Sequence, residues 1–551
     1  MKANVSDHRG ERYVAGSIAM LIVVVLIAQA RLLYIFPQPD GARWWGDETG
    51  QMLELRTELQ YGYARIPTAL GSSLAITNGL VRGNSWLAAA LYGLPTLLFS
   101  NVADVVTIGR TITFALSIIL LLLMYRMLMA SQVPRVLSLF AVLLLVTTRS
   151  FFFASHAARL DVVAAIGLLA FVWYLSKHYD ALRQMLWRPT AFWYFGYGAA
   201  AMLFVSLSIH LLTLLGLLSL YMLRQFGAFR KLSSIASAVG GVVMMIGLFI
   251  GIYAISGASF SLYSPSSVPN QFQSVAAELP ILRPFSRSVQ VANILERLHG
   301  LWLEAPAFLI LVCFAIGLII AKRSPALRSN RDGWVSGAAI VIAIAWLLFQ
   351  SPALYYYVQV LPLFIIAIVV GLSRRFALPP IAYIAIGAIS VALSYLGIVD
   401  TTRAERVSFA IASGNYVALE QVLDTIRIAT RPNERPVVLA QNPAIATLEH
   451  EKGIRLMTAH FISFPISNQS VANVLQKHHV QYLLLYASHD GSSYSADYHA
   501  LRPIADSLGT IIFRLPGMLF DVHRDYFTSY ALNDDVSMDT LILYKLPTFA
   551  R

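Results

Sequence analysis

Eleven apolar segments run through the first four hundred residues of this chain, and they fix its solvent before any motif is read. They lie near 13–36, 106–128, 136–154, 160–176, 190–208, 210–223, 235–256, 304–321, 333–350, 352–373 and 379–399. A helix rises 1.5 Å per residue, so about 20 apolar residues cross a hydrocarbon core of roughly 30 Å. In lipid a backbone must satisfy its own hydrogen bonds, so such segments are expected to be helices. The polar break from Ser206 to His210 makes the fifth and sixth a tight helical hairpin or one long kinked helix. The chain is 57% hydrophobic and only 13% charged, against about 25% charged in an average soluble protein.

The net charge of +12 would suggest a nucleic-acid partner in a soluble protein. Here the cations collect in alternate loops: Arg126 and Arg135; Lys177, Arg183 and Arg188; Arg224, Arg230 and Lys231; Lys322, Arg323, Arg328 and Arg331; Arg374 and Arg375. That alternation is the positive-inside rule, and it implies no nucleic acid. It sets the N-terminus in the cytoplasm and, with an odd span count, the C-terminus outside. The first run, Tyr13 to Phe36, is too long for the apolar core of a signal peptide and is followed by Pro37-Gln38-Pro39-Asp40 rather than a small-residue cleavage site, so it reads as a retained helix. The one cysteine, Cys313, excludes an intrachain disulfide.

Two long segments, 37–105 and 256–303, are expected outside the membrane. The first contains the weakly apolar run Trp86 to Phe99, broken by Gly93 and Pro95, which suits an interfacial or re-entrant helix. From about Asp400 the composition turns soluble. Val437–Ala440, Tyr482–Tyr486 and Leu541–Leu546 read as strands and Ser470–His479 as a helix, which together suggest a small α/β unit. The expected fold is therefore a mainly α polytopic membrane protein of about eleven helices, residues 1–400, with a small C-terminal extracytoplasmic α/β domain, residues 401–551.

Ionisable groups next to a bilayer are costly and mark candidate sites. Asp47 and Glu48 follow the first span; they either cap the next helix or do chemistry. Ser155-His156-Ala157-Ala158-Arg159-Leu160-Asp161 lies at the outer junction of spans three and four. Arg159 and Asp161 are either a local ion pair at a helix entrance or part of the same outer site as Asp47. His210, in the outer turn between spans five and six, is a hydrogen-bonded histidine or a ligand. Arg110, at the outer start of span two, either snorkels to headgroups or binds a phosphate. Tyr355-Tyr356-Tyr357 belongs to an interfacial aromatic belt or contacts a sugar or lipid. Asp47, His156 and Asp161 could hold a divalent cation, although no diagnostic ligand spacing is present.

Taken in order, these pieces resemble the integral-membrane glycosyltransferases of the GT-C type, in the branch of the protein O-mannosyltransferases and the lipid A aminoarabinose transferase. The resemblance covers roughly residues 13 to 400. It rests on Asp47-Glu48, the Tyr-containing apolar segment Leu87 to Leu98, Arg110, the phrase Phe151-Phe152-Phe153-Ala154-Ser155-His156-Ala157-Ala158-Arg159-Leu160-Asp161, His210, and Tyr355-Tyr356-Tyr357 with Pro362. The chain departs from the family pattern at His210, where Lys is frequent, and at Ser351-Pro352-Ala353, where a basic residue is frequent before the tyrosines. Arg283 and Arg287 of the second outer loop could supply the missing cations.

The resemblance implies transfer of a sugar from a polyprenyl-phosphate donor to an acceptor hydroxyl on a cell-envelope glycan, lipid or protein. The chemistry would take place at the outer face of a bacterial inner membrane, among membrane lipids. Asp47 would be the base of an inverting displacement, with Glu48 orienting the acceptor, Arg159 and His210 facing the phosphate, and Asp161 positioning Arg159 or helping to hold a metal. Two other classes remain open: a multi-pass transporter, which would need broken midplane helices and repeated halves, and a membrane-anchored assembly protein whose C-terminal domain binds a partner.

Overall fold

The computed structural model describes residues 7–35, 91–92, 102–158, 160–177, 354–375, 379–430, 436–440, 455–458, 481–487, 496–519 and 538–547, with isolated positions in 232–244 and 472–480. The apolar runs form helices as expected. They are α1 (Asp7–Ile35), α2 (Val102–Ala130), α3 (Arg135–Val146), α4 (Arg149–His156), α5 (Asp161–Lys177), α6 (Leu361–Arg375) and α7 (Pro380–Ala429). Within these, Gly10–Leu33, Thr107–Ala130 and Ile381–Thr402 are long and apolar enough to cross a membrane. Tyr13, Met20 and Ile27 of α1 and Ile381, Ile384 and Tyr395 of α7 are exposed, an apolar outer surface that suits lipid rather than water. The chain is a membrane protein, mainly helical. The other expected spans between 178 and 353, and the total of eleven, lie outside the described residues.

Packing among the spans follows small side chains. α1 lies against α7 and α3, and α2 against α5, α4 and α3. On α7 the buried residues Ser390, Ser394 and Thr401 turn their hydroxyls back to carbonyls one turn earlier, Ile386 O, Ser390 O and Gly397 O. Satisfied in this way, small polar residues let helices approach closely in an apolar medium. Gly397 marks the tightest approach: a Cβ there would lie 3.2 Å from Thr147 Cγ2 and 3.7 Å from Val25 Cγ1. The α2–α3 turn is a Schellman closure, with Val133 N donating to Leu128 O, Gln132 N to Met129 O, and Gln132 at φ 59°. Pro134 then stops the chain and caps α3.

Two expectations are corrected. The segment 136–154 is not one straight helix, because α3 and α4 meet at 67°. Thr147 and Thr148 make this break: the Thr148 side chain caps α4 by accepting from Phe151 N at 3.2 Å. The segment 352–373 begins as the 3-10 turn Leu354–Gln359 before α6, with Pro362 in the first turn of α6, where a missing N–H costs nothing. The last expected span is found as Ile381–Thr402, and its helix continues beyond it. α7 runs for 50 residues without a break, roughly 75 Å at helical rise, passing the change in composition at Asp400.

The far end of α7 meets a five-stranded sheet. β1 (Val437–Ala440), β2 (Arg455–Thr458), β3 (Tyr482–Ala487), β4 (Thr510–Leu519) and β5 (Met538–Lys545) lie in the order β2-β1-β3-β5-β4. β1 is parallel to β2 and β3, and β5 is antiparallel to β3 and β4. Leu483, Leu484, Leu485, Leu541, Ile542 and Leu543 are all buried, so the central strands are covered on both faces. α8 (Ala496–Leu508) contributes Leu501, Ile504 and Ala505 to one core with Leu483, Leu485 and Ile542. The last turns of α7 bury Val422 and Ile426, and Thr430 reaches the Tyr482 hydroxyl at 3.2 Å. At the α8–β4 turn a Cβ on Gly509 would sit 2.7 Å from Ala505 O, so only glycine fits without movement.

Candidate functional site

The site is built at the junction of α4 and α5. α4 ends at His156, and α5 begins at Asp161, whose carboxylate lies in the first turn. That position favours an anion, because the first N–H groups of a helix point toward it. The linking residues Ala158 and Leu160 are buried with Tyr92, and Ile112 of α2 packs on them. This fixes the junction against α2.

His156 is held on both sides of its ring. Nε2 lies 2.9 Å from Gln29 O of α1. A carbonyl only accepts, so that nitrogen carries a hydrogen. Nδ1 lies 2.9 Å from Ser155 Oγ and 2.6 Å from Phe152 O. The ring also meets Phe152 at 4.5 Å and Phe114 of α2 edge-on at 5.5 Å between centroids. Arg110 stands one turn before Phe114 on the same face of α2 and is 1% exposed. Nearby on α2, Thr113 is buried and shares a hydrogen bond of 3.0 Å with Tyr92 OH.

Asp161 is 5% exposed and accepts a hydrogen bond of 2.9 Å at Oδ1 from Gln359 Nε2. Gln359 closes the 3-10 turn that contains Tyr355, Tyr356 and Tyr357, and the turn packs against α4 and α5. Tyr357 is buried. The bland reading of Tyr357 as part of an interfacial belt is therefore replaced by a place in the interior wall of the junction.

The structure thus places Arg110 on α2, His156 at the end of α4, Asp161 at the start of α5 and Tyr357 in the 3-10 turn packed against α4 and α5. Asp47, Glu48, Arg159, His210, Arg283 and Arg287 lie outside the described residues, as do the side chains of Tyr355 and Tyr356. Sequence reasoning missed Gln359 and Gln29. A lone amide in a segment otherwise read as lipid-facing was the available signal for Gln29; Gln359 was overshadowed by the tyrosines beside it. Among the described residues no three His, Cys, Asp or Glu side chains are grouped to hold a metal ion. The chemistry available is the buried cation of Arg110 and the positioned carboxylate of Asp161, while both ring nitrogens of His156 are engaged within the bundle.

No protein-family model matches the chain, and no curated protein matches it. Among solved structures it is similar to the Archaeoglobus fulgidus oligosaccharyltransferase in the apo form, at TM-score 0.49 and 12% identity over 85% of this chain and 69% of that one. It is similar to ArnT from Cupriavidus metallidurans bound to undecaprenyl phosphate, at TM-score 0.46 and 14% identity over 96% and 98% of the two chains. It is also similar to the archaeal oligosaccharyltransferase AglB from Archaeoglobus fulgidus in complex with an inhibitory peptide and a dolichol-phosphate, at TM-score 0.48 and 12% identity over 90% and 73%.

Proposed function

We propose that this chain is a membrane glycosyltransferase that moves a sugar from a polyprenyl-phosphate carrier to an acceptor hydroxyl at the outer membrane face. The observation that carries the reading is the α4–α5 junction, where His156 ends one helix and buried Asp161 begins the next, both packed against α2 with its buried Arg110. Buried charges of this kind are retained where a ligand or partner needs them.

The chemistry follows from the groups. Attack of a hydroxyl on an anomeric carbon needs a base, and a positioned carboxylate serves. Asp47 takes that proton and Glu48 orients the acceptor. The departing polyprenyl phosphate carries its own negative charge, so it needs cations and donors already aimed at it. Arg110 supplies one such cation, with Arg159 and His210 facing the same phosphate and Arg283 and Arg287 within the second outer loop. Asp161, fixed by Gln359, positions Arg159. One base without a separate acid gives inversion at the anomeric carbon.

The test is incubation of the purified full chain with a labelled polyprenyl-phosphate sugar and candidate acceptors. Transfer or donor hydrolysis is expected, and Asp47→Asn is expected to abolish transfer while the protein still folds and binds the lipid. Near-normal turnover in that variant overturns the assignment of the base. Solute uptake into vesicles with no sugar released overturns the enzyme reading itself.

A further inference from the structure

We propose that Gln29 of α1 is a positioning residue of the site: it braces both arms of the broken α3–α4 element and so sets where His156 stands. The proposal rests on the reading of the α4–α5 junction as the transfer site.

The argument begins with the carbonyls that a helix leaves open when it stops. α3 ends at Val146, and of its last four carbonyls only Leu143 O keeps an i+4 backbone partner, Thr147 N. Three are served locally. Leu143 O receives Thr147 N, Leu144 O receives the Thr147 hydroxyl at 3.1 Å, and Leu145 O receives Thr148 N and the Thr148 hydroxyl. The fourth, Val146 O, receives the Gln29 side-chain amide at 3.0 Å from another helix. An open carbonyl among apolar helices has no water to turn to, so this donor is what lets the chain bend there.

The second arm is tied to the same residue. His156, the last residue of α4, donates from Nε2 to Gln29 O at 2.9 Å. One buried position on α1, 1% exposed, therefore holds the end of α3 with its side chain and the end of α4 with its backbone. The 67° bend between the two helices has both its ends fixed to a single point. Removing the amide orphans Val146 O, and the cheapest relief is to straighten the break and form an intrahelical bond there. That motion carries His156 away from the junction.

Two variants test this. Gln29→Met keeps length and helix propensity but has no donor; Gln29→Asn keeps the amide one carbon short of its partner. In the first, kcat for transfer is expected to fall about a hundredfold, the scale of a misplacement of about 1 Å, and in the second by less. The structural readout is the ring nitrogen spectrum of 15N-histidine protein, with the His156 signals identified by their loss in His156→Gln. Those signals are expected to move in Gln29→Met, although the bond to His156 comes from the Gln29 backbone and the substitution leaves it untouched. His156 signals at their original positions in whichever variant folds overturn the proposal, including when thermal stability alone has dropped. Because the ring spectrum needs no turnover, it decides the question even when wild-type protein shows no sugar transfer.

Discussion

The two ends of α7 are built on opposite economies of polar groups. At its membrane end the helix packs into a bundle whose interior holds Gln29, Arg110, Thr113, Ser117, His156, Asp161 and Gln359. At its other end it closes on a sheet whose core is Val437, Leu439, Leu483, Leu485, Leu501, Ile504 and Ile542, with its charged contacts left at the margin. Burying an amide or a charge costs free energy unless each is paired. Among the described residues the sheet core holds no buried charge, although Gln481 Oε1 beside β3 is buried and unpaired, whereas the bundle buries Arg110 and Asp161. The contrast fits the proposed place of the chemistry, in the bundle rather than in the sheet.

That contrast is broken or sharpened most strongly at Asp161. Asp161→Asn removes the charge but leaves the helix start and its partner Gln359 in place, and kcat is expected to drop by about 10²–10³-fold, with the folded state kept. Wild-type turnover would move the site away from the junction. Gln359→Leu leaves the charge but frees its orientation, and about a tenfold fall in kcat is expected. The complementary experiment lies in the sheet. Leu483→Ala deletes a side chain with no exposure in the core strand β3 and should destabilise the sheet by about 2–5 kcal/mol. The measurement is faster amide exchange in β1, β3 and β5, with turnover of the remaining folded protein within about twofold. A turnover loss as large as that of Asp161→Asn would mean the sheet takes part in the reaction.

The helices were legible because lipid demands long apolar runs, and the starts of α5 and β1 fall where the sequence places them, at Asp161 and Val437. Central strands β3 and β5 were legible for a similar reason, being continuous apolar runs buried on both faces. The edge strands were not. β2 is only Arg455–Thr458, and β4 carries Pro516 and Gly517 with register shifts between Ile511 and Phe513 and between Leu515 and Met518. A proline and a bulge are tolerated at an edge but read as a turn in a bare sequence. Of the site, His156 and Asp161 stood out as polar residues in an apolar context. Their partners did not, because pairing requires the fold: Gln359 is 198 residues from Asp161, and Gln29 is 127 from His156. The α3–α4 break was hidden for a different reason. Thr147 and Thr148 look like ordinary span residues until their hydroxyls are seen to satisfy carbonyls on one side and an N–H on the other.

A smaller effect is expected where the two economies meet. Arg149, at the start of α4, pairs with Asp400 of α7 at 3.3 Å, and both side chains are partly exposed. A pair of this type contributes under about 1 kcal/mol, so Asp400→Asn should leave thermal stability nearly unchanged and lower kcat by no more than about threefold. A loss comparable to that of Gln29→Met would show that the α3–α4 break is braced as much from α7 as from α1.

The smallest effect belongs to the margin of the sheet. Burial pulls the Asp506 carboxyl upward, but hydrogen bonds from Arg502 Nε at 2.6 Å and Tyr544 OH at 2.8 Å, with the Arg502 charge, outweigh it and hold the group below the usual carboxylate range. The folded state therefore favours the ionised form more than the unfolded chain does. Stability from this group is fully present above the unfolded carboxyl's value, about 3.9, and is lost as pH falls through the lower folded value. The carboxyl is half-exposed, so water screens most of the effect. Amide exchange in α8 and β5 should quicken slightly more below about pH 4 in wild type than in Asp506→Asn, whose amide has no proton to gain there. Equal acid sensitivity in the two proteins would mean that even the margin of the sheet carries no charge that matters to it, leaving the junction in the bundle as the place where this fold depends on ionised groups.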